Sequence, residues 1–351
     1  MLLLRVLGTI TLAWVAAQLC IVLHTPLPWM LGPLLATAVA SVFGLPTFSW
    51  GPLRNGGQWL IGTALGLYFT PQTTALVASL WWAIALGIAW ALGLGALFGL
   101  WLQRVRAAGL QAPASPQLRA TNYFAAAIGA ASEMTLLAER AGARTDLVAS
   151  AHTLRLLLVT LLIPLALQFS GLQGITLTPP GPLVVSWSGF ALLALGTGAG
   201  AWLMQRLGRA NPWFLGPLLV CMGLTMFEIE LTAIPGWMVN AAQLVIGISL
   251  GVRFTAGFVH TAPRWLGAVA LGTLAMMLVC ALMGWAMAWA TGLHPATMLL
   301  ATSPGGIAEM SITAKVLQLG APVVTAFQVC RLIAVLILVE PLYRWVVARQ
   351  A

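Results

Sequence analysis

The chain has 351 residues, of which 16 are Lys or Arg and 7 are Asp or Glu; only 7% are charged, 60% are apolar, and the mean hydropathy is +0.97. Water-soluble globular chains carry roughly 25% charged residues, so the composition excludes both a soluble enzyme and a disordered chain. Spanning a bilayer takes about 20 apolar residues per helix, and a chain of this length has room for roughly ten crossings with short loops.

The formal charge of +9 and a pI near 10.7 would point to nucleic acid in a soluble protein. Here the basic residues stand singly between apolar runs, the pattern of cytoplasmic loops enriched in Lys and Arg. No direct nucleic-acid contact is expected, because the longest hydrophilic loop, Gln103 to Arg119, carries only Arg104, Arg106 and Arg119. Cys20, Cys221, Cys280 and Cys330 lie in apolar segments without CxxC or Cys/His spacing. His24, His152, His260 and His294 are dispersed. Neither a disulfide framework nor a metal or cofactor site is expected.

In chain order, apolar segments fall at 4–23, 28–45, 57–70, 73–101, 121–140 and 147–168, and again at 184–206, 212–229, 237–258, 262–292, 296–319 and 322–346. The first is too long for a signal peptide and lacks a small-residue cleavage site, so it is read as a transmembrane helix. Six segments are followed by six, and the sequence repeats accordingly. Pro28–Leu35 (PWMLGPLL) returns as Pro212–Leu219 (PWFLGPLL), and Gln58–Thr70 returns as Gln243–Thr255 with both glycines in register. Glu133-Met134 and Arg155 correspond to Glu309-Met310 and Arg331, with 22 residues from Glu to Arg in both copies. The chain reads as two tandem membrane repeats, 1–168 and 184–351, joined by a linker at 169–183; duplication of this kind is common among transporters.

Charge fixes the expected orientation. Six crossings per repeat would make the copies parallel and put Arg206, Arg209, Arg253 and Arg264 outside, against the positive-inside rule. If instead the fifth segment of each repeat is re-entrant, five crossings remain, the second copy is inverted, and 13 of the 16 basic residues face the cytoplasm with the N-terminus. Glu228, Glu230, His24 and His294 then lie outside, with Lys315 the basic exception. A re-entrant third segment fails, because it exports Arg104, Arg106 and Arg119.

Those fifth segments carry the chemistry. Ser303-Pro304-Gly305-Gly306 should break a helix, since Pro304 has no amide donor and Gly305 and Gly306 carry the largest backbone entropy cost; Gly129-Ala130 holds the matching position in the first copy. Broken backbone at membrane depth is tolerated only where protein or a water-filled cavity satisfies it. Half-helix amides there could hold an anionic group; the structural alternative is a packing kink. Glu133 and Glu309 follow the breaks, and a carboxylate inside a membrane marks a functional site, here for a coupling proton or cation. Arg155 and Arg331 are candidates for an anion clamp or for static ion pairs with those acids. His152, one turn before Arg155, is replaced by Gln328 in the second copy. Gln58 and Gln243 either line the same cavity or sit at an interface. The Gly62/Gly66 and Gly247/Gly251 spacings suggest close helix packing.

At PWMLGPLL, the Gln-led glycine-rich segment and the Gly…Glu-Met…Arg run, the sequence resembles the AbrB family of bacterial membrane proteins, over essentially the whole chain. The resemblance implies an inner-membrane location and a distant likeness to cation/proton antiporters and anion transporters. Proteins similar to this one carry two provisional labels, regulator of gene expression and ammonia monooxygenase, and no established functional residues. The function expected is secondary transport of a small, anionic or amphipathic solute by alternating access; the competing class is a membrane sensor. The expected partners are the lipid bilayer, the solute, a coupling ion and, in a homodimer, a second copy of the chain. A reporter fused at Gly174 in the linker should read out as periplasmic; a cytoplasmic readout would overturn the inverted arrangement.

Overall fold

A computed structural model describes residues 2–107, 115–172, 184–255, 257 and 263–346. Most of the expected linker (173–183), part of the long hydrophilic loop (108–114), His260 and Arg349 lie outside the described residues. All regular structure among the described residues is helical. In chain order the helices are α1 (Leu2–Val22), α2 (Pro28–Val42), α3 (Gly51–Gly66), α4 (Pro71–Ser79), α5 (Trp81–Ala107), α6 (Pro116–Ala126), α7 (Ala131–Arg140) and α8 (Thr145–Phe169). They continue with α9 (Trp187–Arg206), α10 (Pro212–Met226), α11 (Gly236–Gly251), α12 (Pro263–Thr291), α13 (Pro295–Thr302), α14 (Ile307–Val316) and α15 (Ala321–Val346).

Six helices, α1, α5, α8, α9, α12 and α15, are long and apolar enough to cross a membrane. The apolar helices α2, α10 and α11 have only 15, 15 and 16 residues. At about 1.5 Å per residue each falls short of a hydrocarbon core of about 30 Å. The apolar run 73–101 is two helices, α4 and α5, separated at Leu80. The Ser79 hydroxyl donates to the Leu76 carbonyl at 2.7 Å, a local bond that competes with the helix ladder.

Two compact units are present, and both draw on the two halves of the sequence. The first comprises Met1–Ser79, Ile163–Val259 and Ser311–Thr325; the second comprises Leu80–Leu162, His260–Met310 and Ala326–Ala351. In the first unit α2 packs against α1 and α11, and α10 packs against α9 and α3. Glycine sets these approaches. A Cβ on Gly247 would lie 2.5 Å from the Met30 carbonyl oxygen, and one on Gly251 would lie 2.5 Å from that of Leu34. Reciprocally, Gly62 rests on the Phe214 carbonyl, and a Cβ on Gly66 would come within 2.7 Å of the Leu218 oxygen. Gly32 likewise meets the α1 backbone at Ala16, and Gly216 the α9 backbone at Gly200.

Backbone conformations recur with the same periodicity. Leu27 (φ 50°) and Asn211 (φ 48°) are both left-handed N-caps that lead into a proline. α2 ends in left-handed Gly44, with Leu45 N–H bonded to the Ala40 carbonyl at 2.9 Å, and α10 ends in left-handed Glu228, with Ile229 bonded to Leu224 at 2.9 Å. Both are the 6→1 closure that satisfies the last carbonyls of a helix. Lys315 at the end of α14 lies over the Tyr68 ring, 5.2 Å from its centroid.

In the second unit α5 packs against α6 and α12, and α12 against α13. Gly95 and Gly99 bring α5 onto the backbone at Ala127 and Tyr123, and Gly284 brings α12 onto Leu299. The reciprocal seats predict matched effects. Gly62→Ala and Gly247→Ala should each destabilise the protein by about 1–3 kcal/mol through overpacking, seen as similarly lowered melting temperatures in detergent micelles.

Candidate functional site

Both fifth segments are interrupted helices, and both interruptions lie in the second unit. The first runs as α6, leaves helical geometry at residues 127–130 and resumes as α7; the second runs as α13, breaks at 303–306 and resumes as α14. Ala127 and Ser303, the first residues of the gaps, have turned to extended backbone with ψ of 135° and 147°. Pro304, Gly305 and Gly129 therefore lie within the breaks, and Gly306 immediately precedes α14. Side chains fill the space the glycines leave. A Cβ on Gly129 would lie 2.9 Å from the Met134 methyl group, and one on Gly305 would lie 2.7 Å from Met310.

An interrupted helix exposes carbonyls at its C-terminal end that lack donors, and that end carries the negative pole of the helix dipole. Arg331, 7% exposed, supplies both needs at the second break. Its Nη1 donates to the Ser303 carbonyl, and its Nη2 donates to Gly305 at 2.7 Å and to Gln328 Oε1 at 2.6 Å. Gln328 in turn donates through Nε2 to the Leu300 carbonyl at 2.8 Å. Arg155, 4% exposed, does the same at the first break, donating to the Ala126 carbonyl at 3.3 Å and to His152 Nδ1 at 2.8 Å. His152 Nε2 lies 2.9 Å from the Phe124 carbonyl. Because that oxygen only accepts and Nδ1 accepts from Arg155, the network assigns the neutral Nε2–H tautomer. His152 and Gln328 thus play one role, accepting from the arginine and donating to the corresponding carbonyl. The two buried guanidinium groups are close enough for their charges to interact.

The acids occupy the opposite ends of the breaks. Glu133 lies in the first turn of α7 and is half-buried; Glu309 lies in the first turn of α14 and is 7% exposed. The Glu309 carboxylate folds back over Gly306, as the third residue of a capping box does. An anion there is favoured by the positive pole of the helix dipole. Each break is therefore flanked by a cation at the end of the preceding half-helix and an acid at the start of the next. The structure gives both arginines carbonyl acceptors.

Beside the first break, Tyr123, Ala127 and Ile128 line a narrow apolar crevice, together with Ala91 and Gly95 of α5 and Val335 of α15. The Tyr123 hydroxyl donates to the Val339 carbonyl at 2.9 Å. Gln58, half-buried on α3, and Gln243, buried on α11, belong to the first compact unit. Nothing in residue order marked the backbone acceptors of the arginines. The equal three-residue spacing of His152–Arg155 and Gln328–Arg331 was the trace of them that could have been read.

A family profile described as AbrB, transition state regulatory protein AbrB, matches residues 29–347. The chain is 25% identical to the uncharacterized protein YhjN of Bacillus subtilis (strain 168), over 90% of this chain and 86% of that one. It is 26% identical to an Escherichia coli (strain K12) protein whose name marks it provisionally as regulator AbrB, over 90% of this chain and 88% of that one. No solved structure gives a significant match.

The clamp predicts an asymmetric response to substitution. Gln328→Leu removes donor and acceptor from buried partners and should cost about 1–3 kcal/mol. His152→Gln, which restores the chemistry of the other copy, should cost less than about 1 kcal/mol. Thermal unfolding in detergent micelles checks both.

Proposed function

The chain belongs to the AbrB family, and from that premise we propose that it is a multi-pass protein of the bacterial inner membrane that moves a small solute by alternating access. The observation that carries this reading is the pair of interrupted helices, each with a buried arginine at one lip and an acid at the other. Polar backbone and ionisable groups inside a membrane are expensive and are retained where a solute or ion must pass. Glu133 and Glu309 are assigned to ion coupling, and the breaks at Gly129 and Pro304–Gly306 to solute contact.

We read the two halves as inverted copies with about ten crossings and one interrupted segment each, the N-terminus facing the cytoplasm. The reciprocal seats of Gly62 on α10 and Gly247 on α2 support a two-fold relation between them, as do the left-handed residues repeated at Leu27/Asn211 and Gly44/Glu228. Transporters commonly pair such repeats with discontinuous helices at the binding site. The regulator name of the Escherichia coli relative favours a second reading. In it the protein binds a solute without moving it and acts on gene expression through a partner docked on the segment from Gln103 to Arg119. Neither reading assigns an enzymatic reaction to the chain.

Purified protein in liposomes should show solute-dependent proton or sodium flux, reduced at least tenfold by Glu309→Gln, on the order expected when a group acting in the rate-limiting step is removed. If no solute of a broad metabolite panel drives flux and the variant matches the parent in every assay, the transporter reading fails.

A further inference from the structure

One end of the first unit gathers arginines without acids. α3 and α10 run side by side in the same direction, because the seats of Gly62 and Gly66 on Phe214 and Leu218 advance together. Arg54, in the first turn of α3, therefore lies at the same end as Arg206, in the last turn of α9, and Arg209, in the short turn that leads into α10. That turn is fixed: Gly208 is left-handed (φ 62°), and the Arg209 N–H donates to the Met204 carbonyl at 3.0 Å. The Trp59 indole N–H donates to the Thr197 hydroxyl at 3.0 Å and so ties α3 to α9. Arg54 lies five residues before Trp59 and Trp202 five residues after Thr197. At about 1.5 Å per residue, both stand about 7.5 Å from that bond towards the same end.

Nothing in that unit balances this charge. Among the described residues none of the three arginines makes an ion pair. The acids of the unit, Glu228 and Glu230, follow the far end of α10. Arg54 is half-buried; its Nη2 donates to the adjacent Asn55 Oδ1 at 3.4 Å, and its Nε–H is buried without a hydrogen-bond partner. The N-termini of α3 and α10 carry no side-chain cap, so two helix dipoles add their positive poles to the same end. Guanidinium forks match pairs of phosphate oxygens. The surroundings select the form of phosphate. Arg206 lies over the exposed Trp202 ring, 5.1 Å from its centroid, beside exposed Leu203 and Leu207, and Trp50 at the start of α3 is exposed as well. Exposed indoles with arginines that reach past them mark the level where hydrocarbon meets headgroups. A free anion would use the arginines alone, whereas a lipid uses the leucines and indoles too.

We propose that this end of the first unit binds the phosphate group of an anionic phospholipid through Arg54, Arg206 and Arg209, with the acyl chains lying along Trp202, Leu203 and Leu207. The lipid site does not depend on whether the protein moves a solute.

The test uses the full-length protein in detergent micelles at fixed ionic strength, titrated with phosphatidylglycerol, with phosphatidylcholine of the same acyl chains, and with inorganic phosphate. Melting temperature and the lipid retained in native mass spectrometry are read. Phosphatidylglycerol should be retained and should raise the melting temperature saturably, and the other two should do neither. Arg54→Gln/Arg206→Gln should weaken phosphatidylglycerol binding about tenfold or more, and Arg206→Gln alone, at an exposed position, about fivefold. Arg144→Gln/Arg344→Gln removes as many exposed charges from the second unit and should stay within about twofold of the parent. The proposal is overturned if phosphatidylcholine binds as phosphatidylglycerol does, or if inorganic phosphate alone gives the same stabilisation. It is overturned equally if the second-unit pair weakens binding as much as the first, or if Arg206→Gln keeps the parental affinity.

Discussion

Everything at the centre of the second unit depends on guanidinium groups bonded to backbone carbonyls. Stopping a helix inside an apolar medium leaves carbonyls that water would satisfy at a surface and that hydrocarbon cannot. Arginine meets this need best among the side chains, because it carries five donors in a fixed fork and stays charged. The positive charge, costly to bury alone, is set against the negative pole of the half-helix it closes. Glu133 and Glu309 repeat the logic with the opposite sign at the starts of α7 and α14. The interruptions are thus electrically matched along the chain.

The two breaks are similar but unequal. Arg331 reaches two carbonyls and is steadied by Gln328, whose amide also touches the Ser303 oxygen at 3.3 Å. Arg155 makes one carbonyl bond, at 3.3 Å, and leans on an imidazole. Methionine covers both gaps, Met134 over Gly129 and Met310 over Gly305, and a flexible thioether suits a space whose outline is irregular. The first break is the more lightly held of the two.

Much of this could be read from residue order. Twelve apolar runs, the interruption at Pro304, the matching one beside Gly129 and the close-packing role of Gly62/Gly66 and Gly247/Gly251 all follow from local rules, because proline, glycine and apolar periodicity act on their own neighbourhood. The acceptors of Arg155 and Arg331 could not be read, since every residue carries the same carbonyl and sequence does not say which one is left without a donor. The split at Leu80 was hidden inside a continuous apolar stretch. Left-handed Leu27, Asn211, Glu228 and Gln318 were equally invisible, because glycine is the usual mark of that conformation and none of them is glycine.

The exchanged glycine seats bear on how the chain is made. The seat for Gly247 is at Met30, roughly 200 residues earlier, and Gly62 waits for Phe214. α3 cannot complete its closest contact with helices already synthesised, and α2, seated on α1 through Gly32, still lacks its partner α11. The faces of α2 and α3 that receive α11 and α10 must therefore wait for the second half, a long-range pairing of the kind that slows assembly.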